Sequence, residues 1–130
     1  MIDLGDARTA FWQERHLCTL TTIRPDGTPH VVPVGATLDP EAGVVRVITS
    51  GDSAKARRVR AAGQAGLPAA VCQVDGARWS TLEGIAVLRE DTASVRDAER
   101  RYADRYRVPR ENPKRVVVEI RIKKALGSVT

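Results

Sequence analysis

Short β-rich runs separated by proline and glycine turn signals constrain this chain more than any other feature. Leu17 to Ile23 reads as a strand, Arg24-Pro25-Asp26-Gly27-Thr28 places Pro and Gly where a tight turn requires them, and His30 to Leu38 resumes a β-rich run. A second turn, Asp39-Pro40-Glu41-Ala42-Gly43, leads into Val44-Val45-Arg46-Val47-Ile48-Thr49, whose β-branched content again predicts strand. Three antiparallel strands therefore follow one another through hairpins.

The rest of the chain continues that pattern. Ser53 precedes a short cationic helix, Ala54 to Ala62, closed by Gly63. A loop over Gly63 to Pro68 leads to a strand from Ala69 to Val74, a turn at Asp75-Gly76, and a longer strand from Trp79 to Leu88. Gly84 inside it marks a bulge or a close backbone approach. Val95, Ala98, Tyr102 and Tyr106 share one face of an amphipathic helix from Thr92 to about Tyr106, capped by Thr92 or Ser94 and ended by Pro109 and Pro113. Arg115 to Ile122 is the last strand, and Ala7 to His16, with Asp6 as N-cap, is a first helix. Six strands with two or three helices predict a mainly β chain of α+β type, an antiparallel barrel with helices at its margins.

At 130 residues and 42% apolar composition the chain fills one core, so residues 1–130 are expected to form one domain. Cys18 and Cys72 sit in apolar runs and read as buried thiols. No apolar run approaches the roughly 20 residues of a membrane span, and Met1-Ile2-Asp3-Leu4-Gly5-Asp6 is not a basic segment leading into an apolar one, so a cytoplasmic location without membrane contact is expected. The formal charge of +5 favours an anionic partner. Nucleic acid fits poorly: aromatics are only 4%, and Arg96, Arg100, Arg101, Arg105 and Arg107 are interleaved with Asp97, Glu99 and Asp104.

The most informative local feature is a strand, then Thr49-Ser50-Gly51-Asp52-Ser53, then a helix beginning around Lys55. Unpaired N–H groups and the macrodipole at a helix start, joined by Ser, Thr and Lys side chains, suit a phosphate; ordinary capping by Ser53 beside a solvated cationic face is the alternative. Neither the Walker phosphate loop nor the dinucleotide glycine fingerprint is present. His16 and His30 are the only histidines and lack Cys, Asp or Glu at ligand spacing, so no metal site is expected. His30 is open to a structural role or to contact with a cofactor or substrate. Arg78-Trp79 opens a strand after a turn, which serves plain core or a pocket mouth. With no nucleophile elbow and no Cys-His pair in sequence, an enzyme built from this chain is expected to take its reactive atoms from a bound cofactor.

Specific segments resemble a known family. Leu20-Thr21-Thr22, Pro29-His30-Val31-Val32-Pro33-Val34, Arg46-Val47-Ile48-Thr49, Ser53-Ala54-Lys55-Ala56-Arg57 and Leu82-Glu83-Gly84 are similar to the pyridoxamine 5′-phosphate oxidase-like split barrels of FMN-binding type, in the branch of reductases that use the deazaflavin coenzyme F420. Gln73-Val74-Asp75-Gly76-Ala77-Arg78-Trp79, Val95-Arg96-Asp97-Ala98-Glu99, Arg101-Tyr102-Ala103 and Asn112-Pro113-Lys114-Arg115-Val116-Val117 are similar to its biliverdin-reducing subgroup. The resemblance spans roughly Phe11 to Ser128 and implies a homodimeric, cytoplasmic oxidoreductase that passes a hydride from reduced F420 to a conjugated small molecule such as a tetrapyrrole, biliverdin among them. An FMN-dependent enzyme of the same fold, or a non-catalytic flavin, deazaflavin or haem binder, is the alternative. The resemblance also implies that Lys55 and Arg57 meet the cofactor phosphate, with Thr49 and Ser50 along the same groove. Val32, Pro33 and Val34 would flank the ring, and Gln73 and Trp79 would approach it, partly from the second subunit. Arg78 and His30 would meet the substrate, and no side chain need be an obligatory acid. Ser53 stands where relatives often carry Arg, and Ala36 where they carry a bulkier residue.

Overall fold

A computed structural model describes residues 2–130. Its order is α1 (Asp6–Phe11), β1 (Cys18–Ile23), β2 (Pro29–Val34), β3 (Thr37–Asp39), β4 (Val44–Ser50), α2 (Ala54–Ala62), a 3-10 turn (Gly63–Ala65), β5 (Leu67–Asp75), β6 (Arg78–Arg89), α3 (Thr92–Arg105) and β7 (Arg115–Gly127). Seven strands form one sheet in the order β2-β1-β5-β6-β7-β4-β3, with every pairing antiparallel. The count exceeds the expected six because the run from His30 to Leu38 breaks at Gly35-Ala36. A Cβ at Gly35 would lie 2.6 Å from the Tyr102 ring, so glycine is what lets α3 press against this break.

The two edge strands, β2 and β3, are consecutive in the chain. Laid flat, strands about 4.8 Å apart would separate the edges of this sheet by about 29 Å, whereas the three Cα steps from Val34 to Thr37 span at most about 11 Å. The sheet must therefore curl until its edges come close. Its concave face takes alternate residues: Cys18 and Leu20 of β1, Val71 of β5, Leu82 and Ala86 of β6, Val118 and Ile120 of β7, and Val45 and Val47 of β4, joined by Trp12 and by Val59 of α2. Trp12 donates its indole N–H to Ser80 Oγ at 2.9 Å, so its polar end is satisfied inside the core.

Several local expectations shift. Gly5, with φ of 77°, precedes α1, so Asp6 is its first residue and not its cap, and the helix stops at Phe11. Asp91 caps α3 by accepting from Ser94 N, in place of Thr92 or Ser94. β7 runs on to Gly127, and Gly84 is both bulge and close approach: the register slips between Glu83 and Gly84, where a Cβ would fall 1.9 Å from Arg121 O. Cys18 is buried, but Cys72 is only half-buried, on the outer sheet face.

Helices pack on β3, β4, β6 and β7. The outward positions of β2, β1 and β5 carry no charge; they are Pro, Val, Thr, Ile, Ala and Cys. Val31, Val74 and Ile23 on this face are 55%, 60% and 43% exposed. Antiparallel sheets usually turn polar residues to water, so an uncharged outer face this wide is unusual for a surface left to solvent.

Candidate functional site

The junction of β4 and α2 is built around glycine and serine. Ser53 Oγ accepts from Ala56 N at 3.2 Å and lies 3.2 Å from Thr49 Oγ1, tying strand end to helix start. Ser50 Oγ donates to Asp52 Oδ1 at 2.6 Å. Gly51 N donates to Lys114 O at 2.7 Å, and a Cβ at Gly51 would come within 2.9 Å of that same oxygen. Only glycine allows the turn and the strap before β7 to lie so close.

Between them opens a cleft of about 350 Å³. Pro33 and Val34 from β2 and Gly35 just after it, with Tyr102 from α3, give it an apolar wall; Thr49, Ser50 and Lys55 stand on one flank, and Arg107, Arg110, Asn112 and Arg115 on the other. Four cations thus line it with no carboxylate among the lining residues. Arg115 is offset by Glu99 at 2.7 Å, while Lys55, Arg107 and Arg110 have no ion-pair partner among the described residues. Lys55 is half-buried in the first turn of α2, where no acidic residue answers the helix N-terminus. Burial pushes its ammonium below the ordinary lysine pKa. Two like charges, a lysine and a helix dipole end, meet there, an arrangement that an anion stabilises and water satisfies less well.

The cleft brings together Lys55, Thr49, Ser50, Pro33 and Val34. It leaves out the other expected contacts. Arg57 lies two residues past Lys55, about 200° round the helix, so it faces away and donates to Asp52 O at 2.9 Å. Val32 is half-buried against the core. Gln73 is fully buried, where its amide donates to Phe11 O at 2.8 Å and its carbonyl accepts from Arg105. Trp79 is 40% exposed at the far end of β6, across from Val74 on β5. Arg78 is held by both oxygens of Glu14, each at 2.9 Å, and by Asp75. The Arg78 and His16 hydrogen bonds lower Glu14 to a pKa of about 2. Glu14, His16 and Asp75 converge, and this guanidinium engages both of the carboxylates. His30 is half-buried, with Nδ1 3.2 Å from Arg58 Nη2.

Arg107, Arg110 and Arg115 escaped sequence reasoning because the prolines beside them read only as helix stops. The signal was there as three arginines and a lysine in nine residues, from Arg107 to Arg115, with a single acid.

The chain matches the pyridoxamine 5′-phosphate oxidase family over residues 4–128. It is 55% identical over 125 residues to the F420H(2)-dependent biliverdin reductase of Mycobacterium tuberculosis (strain CDC 1551 / Oshkosh), covering 96% of this chain and 88% of that protein. Among solved structures it resembles an F420 reductase, with a TM-score of 0.73 at 21% identity over 94% of this chain and 98% of the other. A conserved hypothetical protein from Mycobacterium tuberculosis gives 0.76 at 24% identity, over 97% and 85%. At those identities the structures establish the fold alone.

Proposed function

The chain belongs to the pyridoxamine 5′-phosphate oxidase family, and from that premise we propose that it is an F420-dependent reductase whose acceptor is a conjugated tetrapyrrole such as biliverdin. The observation that carries this reading is the cleft itself: four cations with the Thr49 and Ser50 hydroxyls, no carboxylate, and an apolar wall beside them. That donor set fits a ligand that joins a flat ring to an anionic group. The 55% identity to a biliverdin reductase supports the choice of cofactor and acceptor.

In this reading Lys55 neutralises the cofactor phosphate while Thr49 donates its hydroxyl to it and Ser50 turns its own from Asp52 to the phosphate. Pro33 and Val34 offer the ring a dry, stiff surface, and Tyr102 closes the wall behind Gly35. When bound, the reduced deazaflavin supplies the hydride. The protein's share is to hold ring and acceptor in register and to exclude water, and a solvent proton completes the reduction. We take the chain as one split-barrel domain, a reading supported by the short join between the sheet edges. We also take the uncharged face of β2, β1 and β5 as the contact between two copies; Trp79, at its margin, would then reach the partner.

Single turnover tests the assignment. Purified protein mixed with reduced F420 and biliverdin is expected to consume both at equal rates; consumption of neither, or a yellow protein that retains FMN through purification, would remove it.

A further inference from the structure

We infer that Arg58 and His30 form a second oxyanion subsite beside Lys55, one that binds a carboxylate or phosphate group through N–H donors alone. The inference deepens the reductase reading and rests on it for the ligand's origin. Half-buried cations in this protein are otherwise satisfied in one of two ways. Arg46, Arg89, Arg101 and Arg115 each face a carboxylate. Arg8 and Arg105 donate to carbonyl oxygens. Lys55 and Arg58 are the exceptions among the described half-buried cations. Arg58 Nη1 donates to Thr22 Oγ1 at 2.6 Å, and its two terminal nitrogens lie 3.3 and 3.2 Å from His30 Nδ1. A guanidinium has five N–H groups; three of them are directed at two neutral acceptors here, which leaves two N–H groups and the whole positive charge unanswered. Burying such a group without a counter-charge is costly, which marks the place where a ligand's charge is missing.

Geometry makes the three groups one site. Lys55 and Arg58 are three residues apart on α2 and so share a helix face, unlike Lys55 and Arg57. His30 and Thr22 are register partners on β2 and β1. Because His30 Nδ1 accepts from Arg58, the neutral ring carries its proton on Nε2, which is left to donate. Every charged group that bears on His30 is a cation: Arg24 from the β1–β2 turn, and Arg58 and Lys55 from α2. Burial first, then these cations, hold the ring below its ordinary pKa and neutral at pH 7. The acid of that turn, Asp26, is engaged with Thr28 through its hydroxyl at 2.6 Å and its N–H at 3.0 Å. An oxyanion entering here would find donors and no repelling acceptor.

The test reads His30 directly by ring-nitrogen NMR during titration with inorganic phosphate and, separately, propionate. The free protein is expected to show the Nε2–H tautomer at pH 7, with the His30 pKa rising by about one unit or more when an anion binds. Arg58→Gln abolishes that rise, and Arg58→Lys, which keeps the charge but loses the fork, weakens anion binding. The ligand's origin follows from two further measurements on Arg58→Gln. A KM for biliverdin raised about tenfold, with F420 affinity unchanged, assigns the subsite to an acceptor carboxylate; weaker F420 affinity assigns it to the cofactor. Folded Arg58→Gln with unaltered His30 titration, KM and F420 affinity overturns the subsite. Wild-type protein that binds no F420 defeats the reductase reading, while the anion titration still decides this one.

Discussion

Tyr106 and Arg105 show how single side chains hold the site's frame. The Tyr106 hydroxyl donates to His16 O at 2.6 Å and accepts from Ala36 N at 3.2 Å, and Arg105 donates to Ala36 O, Glu14 O and Gln73 Oε1. Together they pin the Gly35-Ala36 break to the loop before β1, and Cys18 is packed under them with its thiol pushed up in pKa by burial. Burial, foremost, raises the Tyr106 phenol from 10.0 to about 12. The folded state therefore keeps the proton that the unfolded state releases. This contribution to stability is complete below pH 10 and is lost between about pH 10 and 12. Denaturant melts across that window should show a decline that Tyr106→Phe reduces, at a cost of about 1–2 kcal/mol at neutral pH from the lost hydrogen bonds. An identical alkaline decline in the variant would remove Tyr106 as its source. Lys55 titrates in the other direction: its pKa is lowered, so anion affinity should start to fall at a pH below 10.5.

At the scale of elements, the turn between β4 and α2 matters most, because both flanks of the cleft meet at Gly51. The 2.9 Å approach of a Cβ to Lys114 O leaves no room, and a backbone oxygen cannot swing aside. Gly51→Ala should lower stability by about 1–3 kcal/mol, read as a lower denaturant midpoint, and should weaken F420 binding by separating Lys55 from Arg110 and Arg115. Unchanged affinity would mean that the two flanks act independently. Much of this level was legible from sequence, since turn chemistry, the Ser53 cap and the Gly84 bulge are short-range signals. The broken β2–β3 run was not, because Gly35 answers to Tyr102, a residue 67 positions away. Site residues divide the same way. Lys55, Thr49 and Ser50 follow from one local motif, whereas Arg78 and Gln73 are committed to Glu14 and Phe11, 64 and 62 residues distant. Arg57 lies outside the cleft for a reason that helical geometry alone supplies, since it stands two residues from Lys55 on α2.

For the whole molecule, the curled sheet divides the surface into a cationic end and an uncharged flank. The flank predicts self-association: light scattering should give twice the chain mass, and Val31→Glu with Val74→Glu should yield monomers, because like charges would then have to be buried without partners. A wild-type monomer at micromolar concentration would leave that face unexplained. Cofactor binding belongs to the cationic end, and fluorescence titration of F420 into wild-type protein and Lys55→Ala measures it. Saturable quenching is predicted for the wild type, with affinity in Lys55→Ala weaker by about 1–3 kcal/mol, or roughly 5- to 150-fold. Equal dissociation constants for the two proteins, or no quenching by either, would contradict it.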